Sequence, residues 1–288
     1  MGSLPINTSA PGKPGWQPTC PACVSPHSAG VSAPTMISAV LAVLVGAGRK
    51  IIGGWEVQPH SRPYMAFVKI ETGRNQRNIC GGFLIRKDVV VTAAHCNCNH
   101  LHPLVFHSNI TVLLGAHNIS MTEPRTQEIR VHRRIPHPAF NNNTLENDIM
   151  LLQLAQPVTL SAQVCPISLP LHGAPVIPGS VCSVAGWGQM CVFPGKTSDV
   201  LMEVDLEVIE DRICSWRFPN KYKPGTMLCG DSGGPLVCGG MAQGIVSFGP
   251  IDASPPQVYT RVSKFIPWIN ATVGNLQASD PLEFSPCP

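Results

Sequence analysis

The sequence has no run of basic residues long enough to follow a nucleic-acid backbone, which sets that class of partner aside. It also lacks an apolar stretch of membrane-spanning length. The run Met36-Ile-Ser-Ala-Val-Leu-Ala-Val-Leu-Val-Gly-Ala-Gly48 is shorter than the ~20 residues a spanning helix needs. Charged residues are scarce at 13% against 44% apolar, so the chain can bury a sizeable core. The first 50 residues contain no acid at all. Three of the 20 basic residues, Lys13, Arg49 and Lys50, fall there, and the other 17 balance the 17 acids, so the formal charge of +3 belongs entirely to the leader. Helical patterns are few.

Turn-forming and cross-linking residues are abundant. The 29 prolines and 26 glycines punctuate short apolar runs, as an all-β chain requires. Twelve cysteines indicate an oxidising compartment. A length of 288 residues allows one large domain or two small ones. Residues 1–50 read as a leader. Its apolar segment 36–48 has the length and following small residues of a secretory signal. Residues 1–35, rich in Pro, Ser and Gly, read as disordered or as an upstream extension of a signal that starts at Met36. Cys20 and Cys23 form a CxxC pair there, but no second ligand pair or βαβ pattern supports a metal or redox role.

From residue 51 on, strand-like runs recur at 80–85, 89–92, 111–114, 149–152, 181–185, 242–248 and 257–261. A short helix is expected over 208–216. An amphipathic helix is expected over 262–274, with Phe265, Ile266, Trp268 and Ile269 inward. Four motifs stand in order along this region: Ile51-Ile52-Gly53-Gly54, Thr92-Ala93-Ala94-His95-Cys96, Asn147-Asp148-Ile149-Met150-Leu151-Leu152 and Gly230-Asp231-Ser232-Gly233-Gly234-Pro235. Together they resemble the chymotrypsin-type (trypsin-like) serine proteases, and within them the granzyme and mast-cell-protease branch. Pro59-His60-Ser61-Arg62-Pro63-Tyr64-Met65 resembles the start of the granzyme first barrel. The resemblance covers residues 51–274, leaving 275–288 as a flexible tail.

The resemblance implies an all-β fold of two six-stranded Greek-key barrels with a C-terminal α-helix and the active site between the barrels. It implies a secreted endopeptidase in which His95 is general base, Asp148 orients its imidazole and Ser232 attacks the scissile carbonyl. The chain order His, Asp, Ser is that of chymotrypsin rather than subtilisin or the α/β-hydrolases. Backbone N–H groups of Gly230 and Ser232 would form the oxyanion hole. Cleavage after Lys50 would free the Ile51 amine to pair with Asp231. The residues Arg49-Lys50 suggest that a trypsin-like protease makes the cut, whereas granzymes usually carry an acidic dipeptide there. Ser247, Phe248 and Gly249 match the segment that pairs with substrate as an added strand. Gln257 matches a pocket-wall position and brings no charge, so a preference for aspartate in the primary pocket does not carry over. The implied disulfides are Cys80–Cys96, Cys182–Cys238 and Cys214–Cys229. Cys98, Cys165, Cys191 and Cys287 are left to pair with one another, to link a dimer or to stay free. No metal or organic cofactor is implied, and the histidines near Cys96 and Cys98 read as surface residues. The expected partners are protein or peptide substrates and the activating protease. The chain is expected to be a monomer outside the membrane, secreted or held in a cytotoxic granule. Sequons at Asn109, Asn118, Asn142 and Asn270 offer glycan sites.

One departure from the family bears on activity. A longer stretch normally separates the residues matched by Cys229 and Gly230 and forms the base and one wall of the primary pocket. Here the two are adjacent, and one Cα–Cα step covers only ~3.8 Å. Either the Cys214–Cys229 bridge or the Ser232 turn must move, or the neighbouring chain must rebuild. The expectation is a fold that survives around an incomplete pocket. A catalytically impaired homologue acting by protein binding is the alternative reading.

Overall fold

A computed structural model describes residues 53–72, 76–97, 109–188, 197–230, 235–250 and 254–277. The leader, Ile51, Ile52, the segment 231–234 and the tail from 278 lie outside the described residues. Strand β1 is Trp55–Glu56, and the first barrel is built from β2 (Met65–Thr72), β3 (Gln76–Arg86), β4 (Val89–Thr92), β5 (Asn109–Leu114), β6 (Gln127–Pro136) and β7 (Met150–Leu154). These close in the order β2-β3-β4-β7-β6-β5. Closure leaves no edge strand to be capped. β4 is buried along its whole length, as a run of four β-branched residues on a barrel strand allows.

The second unit comprises β8 (Val181–Gly186), β9 (Met202–Glu207), β10 (Met227–Gly230), β11 (Leu236–Cys238), β12 (Met241–Phe248) and β13 (Gln257–Arg261). Its strands form a seven-stranded sheet, β1-β9-β8-β11-β12-β13-β10. The expected six-stranded barrel is thus modified in two respects. β1 adds outside β9, pairing Trp55 with Glu203 and Glu56 with Met202. The β9–β10 seam is held not by a ladder but by the isolated bridge Val208↔Gly230. Traced through that bridge, the order β8-β9-β10-β13-β12-β11 repeats the connectivity of the first barrel.

Helix α1 is Asp211–Arg217 and α2 is Val262–Gln277. The expected helix over 208–216 starts later because Val208 is spent on the bridge to Gly230. α2 runs three residues past the expected end at 274. Phe265 and Ile269 are buried, as expected, against a core that includes first-barrel residues, while Ile266 and Trp268 are only partly buried. Where the barrels face each other, Phe67 and Leu113 pack with Ala185, Trp187 and Leu201. Trp187 Nε1 donates to the His117 carbonyl at 2.9 Å across that joint. Arg62, just before β2, makes a two-pronged pair with Glu203 of β9, at 2.7 Å and 2.6 Å. This pair draws the Arg62 guanidinium further above its ordinary range.

The Cys80–Cys96, Cys182–Cys238 and Cys214–Cys229 disulfides are all formed. Cys165 is also disulfide-bonded, so it is not free; its partner lies outside the described residues, as do Cys98, Cys191 and Cys287.

Candidate active site

Adjacent strands β4 and β7 carry two of the expected site residues. They are antiparallel, with Thr92 opposite Met150. His95, three residues after Thr92, and Asp148, two before Met150, therefore emerge at the same end. His95 lies on a short 3-10 helix, Ala94–Asn97, whose Cys96 is tied back to Cys80 on β3. Asp148 follows Asn147, which takes a left-handed φ of 55° that asparagine tolerates better than most residues. The Asn147 side chain donates to the Ala139 carbonyl at 2.8 Å and holds that turn.

Asp148 is completely buried. Its Oδ1 accepts the His95 backbone N–H at 2.9 Å, and its Oδ2 lies 2.7 Å from His95 Nδ1. Ser247 of β12 donates its hydroxyl to the same Oδ2 at 2.6 Å, and Thr260 of β13 donates to the Asp148 backbone carbonyl at 2.9 Å. A buried carboxylate needs such partners to remain charged. An ionised Asp148 can only accept, so the proton of the imidazole belongs on Nδ1 and the lone pair on Nε2. That tautomer suits a base. The His95 ring is 28% exposed while Asp148 is sealed. First-barrel residues thus supply the pair, and second-barrel residues supply two further donors.

Ser247 was expected only as part of the substrate-pairing segment. Its hydroxyl contact with Asp148, and that of Thr260, had no sequence signal, because both join residues about a hundred positions apart. Phe248 is buried, with Phe218 against it edge-on at 5.4 Å and Lys221 Nζ 4.2 Å above its ring. Gln257 is buried and donates to the Ser254 carbonyl at 3.2 Å. A Cβ on Gly249 would come 1.8 Å from Gln257 Oε1, so the end of the glutamine side chain lies directly over this glycine.

β10 shows how the short connection is accommodated. The Cys214–Cys229 bridge stays in place, and the strand continues through Cys229 to a buried Gly230, paired opposite Gln257. A Cβ at Gly230 would lie 2.9 Å from the Tyr259 ring. Asp231 and Ser232, the expected activation partner and nucleophile, lie outside the described residues, as do Lys50 and Ile51. Cys80, His95 and Cys96 are the one group among the described residues close enough to share a metal, but both sulfurs are committed to a disulfide. No described helix is long and apolar enough to cross a membrane.

Two barrels of one connectivity, meeting over a buried carboxylate–imidazole pair and followed by a C-terminal helix, define the chymotrypsin-like fold. The trypsin family model matches residues 51–269. Duodenase-1 of Bos taurus is 50% identical over 240 residues, covering 79% of this chain and 91% of that protein. Granzyme B of Homo sapiens is 48% identical over 236 residues, covering 78% and 91%. The solved structure of GrC superposes with a TM-score of 0.71 at 42% identity, covering 78% of this chain and all of that one. The chain belongs to the trypsin family and is a granzyme-like serine endopeptidase acting on protein substrates.

Proposed function

We propose that His95, Asp148 and Ser232 form the catalytic triad of this endopeptidase. The observation that carries the reading is the 2.7 Å contact between His95 Nδ1 and a fully buried Asp148. His95 Nε2 takes the proton from the Ser232 hydroxyl as its oxygen bonds to the scissile carbonyl carbon. The imidazolium, stabilised by Asp148, then protonates the leaving amine, and water hydrolyses the acyl-enzyme by the same route. Gly230, expected as one oxyanion donor, is buried on β10 opposite Gln257, so the oxyanion draws on the backbone N–H of Ser232.

Activation follows cleavage after Lys50 by a trypsin-like protease. The start of the family match at residue 51 supports that boundary. The Ile51 amine, cationic at neutral pH, then pairs with Asp231. The chain works as a monomer, secreted or stored in a granule, with residues 1–50 removed.

The test is to cut the expressed chain after Lys50, treat it with a fluorophosphonate and measure the intact mass. A parallel variant carries a family-length insert between Cys229 and Gly230. The expected result is a single adduct on Ser232, formed faster in the insert variant. A folded protein with a confirmed Ile51 N-terminus and no adduct in either form would overturn the proposal.

A further inference from the structure

Substrate selection in this chain has a charged element outside the primary pocket. Gln257 offers no charge there, but a cation is held over the neighbouring Phe248. After α1 the chain turns sharply. The N–H groups of Lys221 and Tyr222 both donate to the Phe218 carbonyl, at 3.1 Å and 3.0 Å, with Asn220 left-handed just before them at φ 67°. Tyr222 is buried and hydrogen-bonds through its hydroxyl to Asp211 of α1, so the turn is anchored on both sides. The anchored turn places the Lys221 ammonium 4.2 Å above the ring of Phe248, the central residue of the substrate-pairing segment. A cation on an aromatic face is attracted by the ring quadrupole.

That ammonium is half-buried, and burial pulls its pKa below the ordinary lysine range, opposed by the field of Asp148. Phe248 directly follows Ser247, whose hydroxyl binds Asp148, so the ammonium seated on its ring neighbours the His95–Asp148 site in the chain. Among the described residues no carboxylate comes within ion-pair distance of it. Asp148 already accepts three hydrogen bonds, and Glu146 pairs with Lys223 instead, at 3.7 Å. An extended peptide added along Ser247-Phe248-Gly249 brings every second side chain to the sheet face.

We propose that Lys221, seated on Phe248, is a specificity residue that selects substrates with an acidic side chain on the non-primed side of the scissile bond. This rests on the proposed endopeptidase function and on the substrate strand pairing along Ser247, Phe248 and Gly249 that the family resemblance implies. The cation–π seat fixes the ammonium, and with no carboxylate among the described residues paired to it, its charge is offered to the substrate.

Binding tests this without requiring turnover. The Ser232→Ala chain, cut after Lys50, is titrated by fluorescence anisotropy with labelled hexapeptides in which one Asp, Asn or Lys is moved through the positions before the scissile bond. At one position Asp should bind about tenfold tighter than Asn, an advantage that shrinks as salt is raised. Lys221→Gln should abolish the preference, Lys221→Arg retain it, and Lys221→Glu transfer it to the Lys peptide. Thermal melting of each variant shows that the fold persists. Equal affinity for Asp and Asn peptides at every position would overturn the proposal. So would Lys221→Gln tightening all peptides alike, because Lys221 would then be a lid rather than a selector. If the active chain takes no fluorophosphonate while Ser232→Ala still discriminates by charge, the triad reading fails and Lys221 recognition stands.

Discussion

Three donors converge on the carboxylate of Asp148: the His95 backbone N–H, the imidazole Nδ1–H and the Ser247 hydroxyl. The arrangement suits only an acceptor on both oxygens. In Asp148→Asn, an amide NH2 at the Oδ2 position would donate to Nδ1, which shifts the ring proton to Nε2 and blocks its lone pair. The expected outcome is a loss of about 10⁴ in kcat with the fold intact, the size known for this change in chymotrypsin-type enzymes. Peptide hydrolysis and circular dichroism of the variant check it. His95 and Asp148 were legible as residues because each stands in a motif of fixed wording. The donors Ser247 and Thr260 were not, because a hydroxyl in a strand carries no mark of what it meets across the barrel joint.

Among the elements, β10 and α2 show where local pattern and tertiary setting part. Read alone, the joining of Cys229 to Gly230 implied a displaced bridge, a displaced turn or a rebuilt neighbouring chain. In the fold the four residues Met227–Gly230 are absorbed into a strand against β13, because an antiparallel ladder satisfies backbone groups that a strained loop would leave open. β6 escaped notice because Gln127–Pro136 is dominated by charged and polar side chains, with Ile129 alone fully buried. α2 was evident from its apolar spacing, but not what it rests on. His137 packs edge-on against Phe265 and Trp268 at 5.2 Å and 5.0 Å, and its Nδ1 accepts the Ala139 N–H at 3.2 Å. Burial lowers its pKa from the ordinary 6.5, so the unfolded chain binds the proton more readily than the folded one. Its contribution is complete above pH 6.5 and is lost as pH falls from 6.5 through the lower folded value. Wild type should therefore lose more stability than His137→Gln between about pH 7.5 and about pH 5, read from urea midpoints.

At the scale of the whole molecule, the two barrels are joined by a shared apolar seam, by Trp187 to the His117 carbonyl and by Arg62 to Glu203. The two partners of that ion pair are unequally exposed, at 31% for the Arg62 side chain and 4% for Glu203. Removing the arginine strands a buried carboxylate, whereas removing the glutamate leaves a guanidinium that can turn to water. Arg62→Ala should cost ~3–5 kcal/mol and Glu203→Ala clearly less, measured from denaturant unfolding. Because the seam also positions second-barrel donors against first-barrel Asp148, Arg62→Ala should lower kcat along with stability.

The sequence by itself determined the class of fold, the three disulfides through the resemblance, the positions of His95 and Asp148, and most strands whose apolar runs are bounded by turn residues. Those features rest on local spacing or on motifs of fixed wording. Tertiary structure alone decided that β1 joins the far barrel, that Val208 and Gly230 close the β9–β10 seam, that Ser247 and Thr260 serve Asp148, and that Lys221 rides on Phe248. Each of these is a contact between segments distant along the chain. Its energy comes from burial and partner satisfaction in the assembled core, so no window of neighbouring residues encodes it.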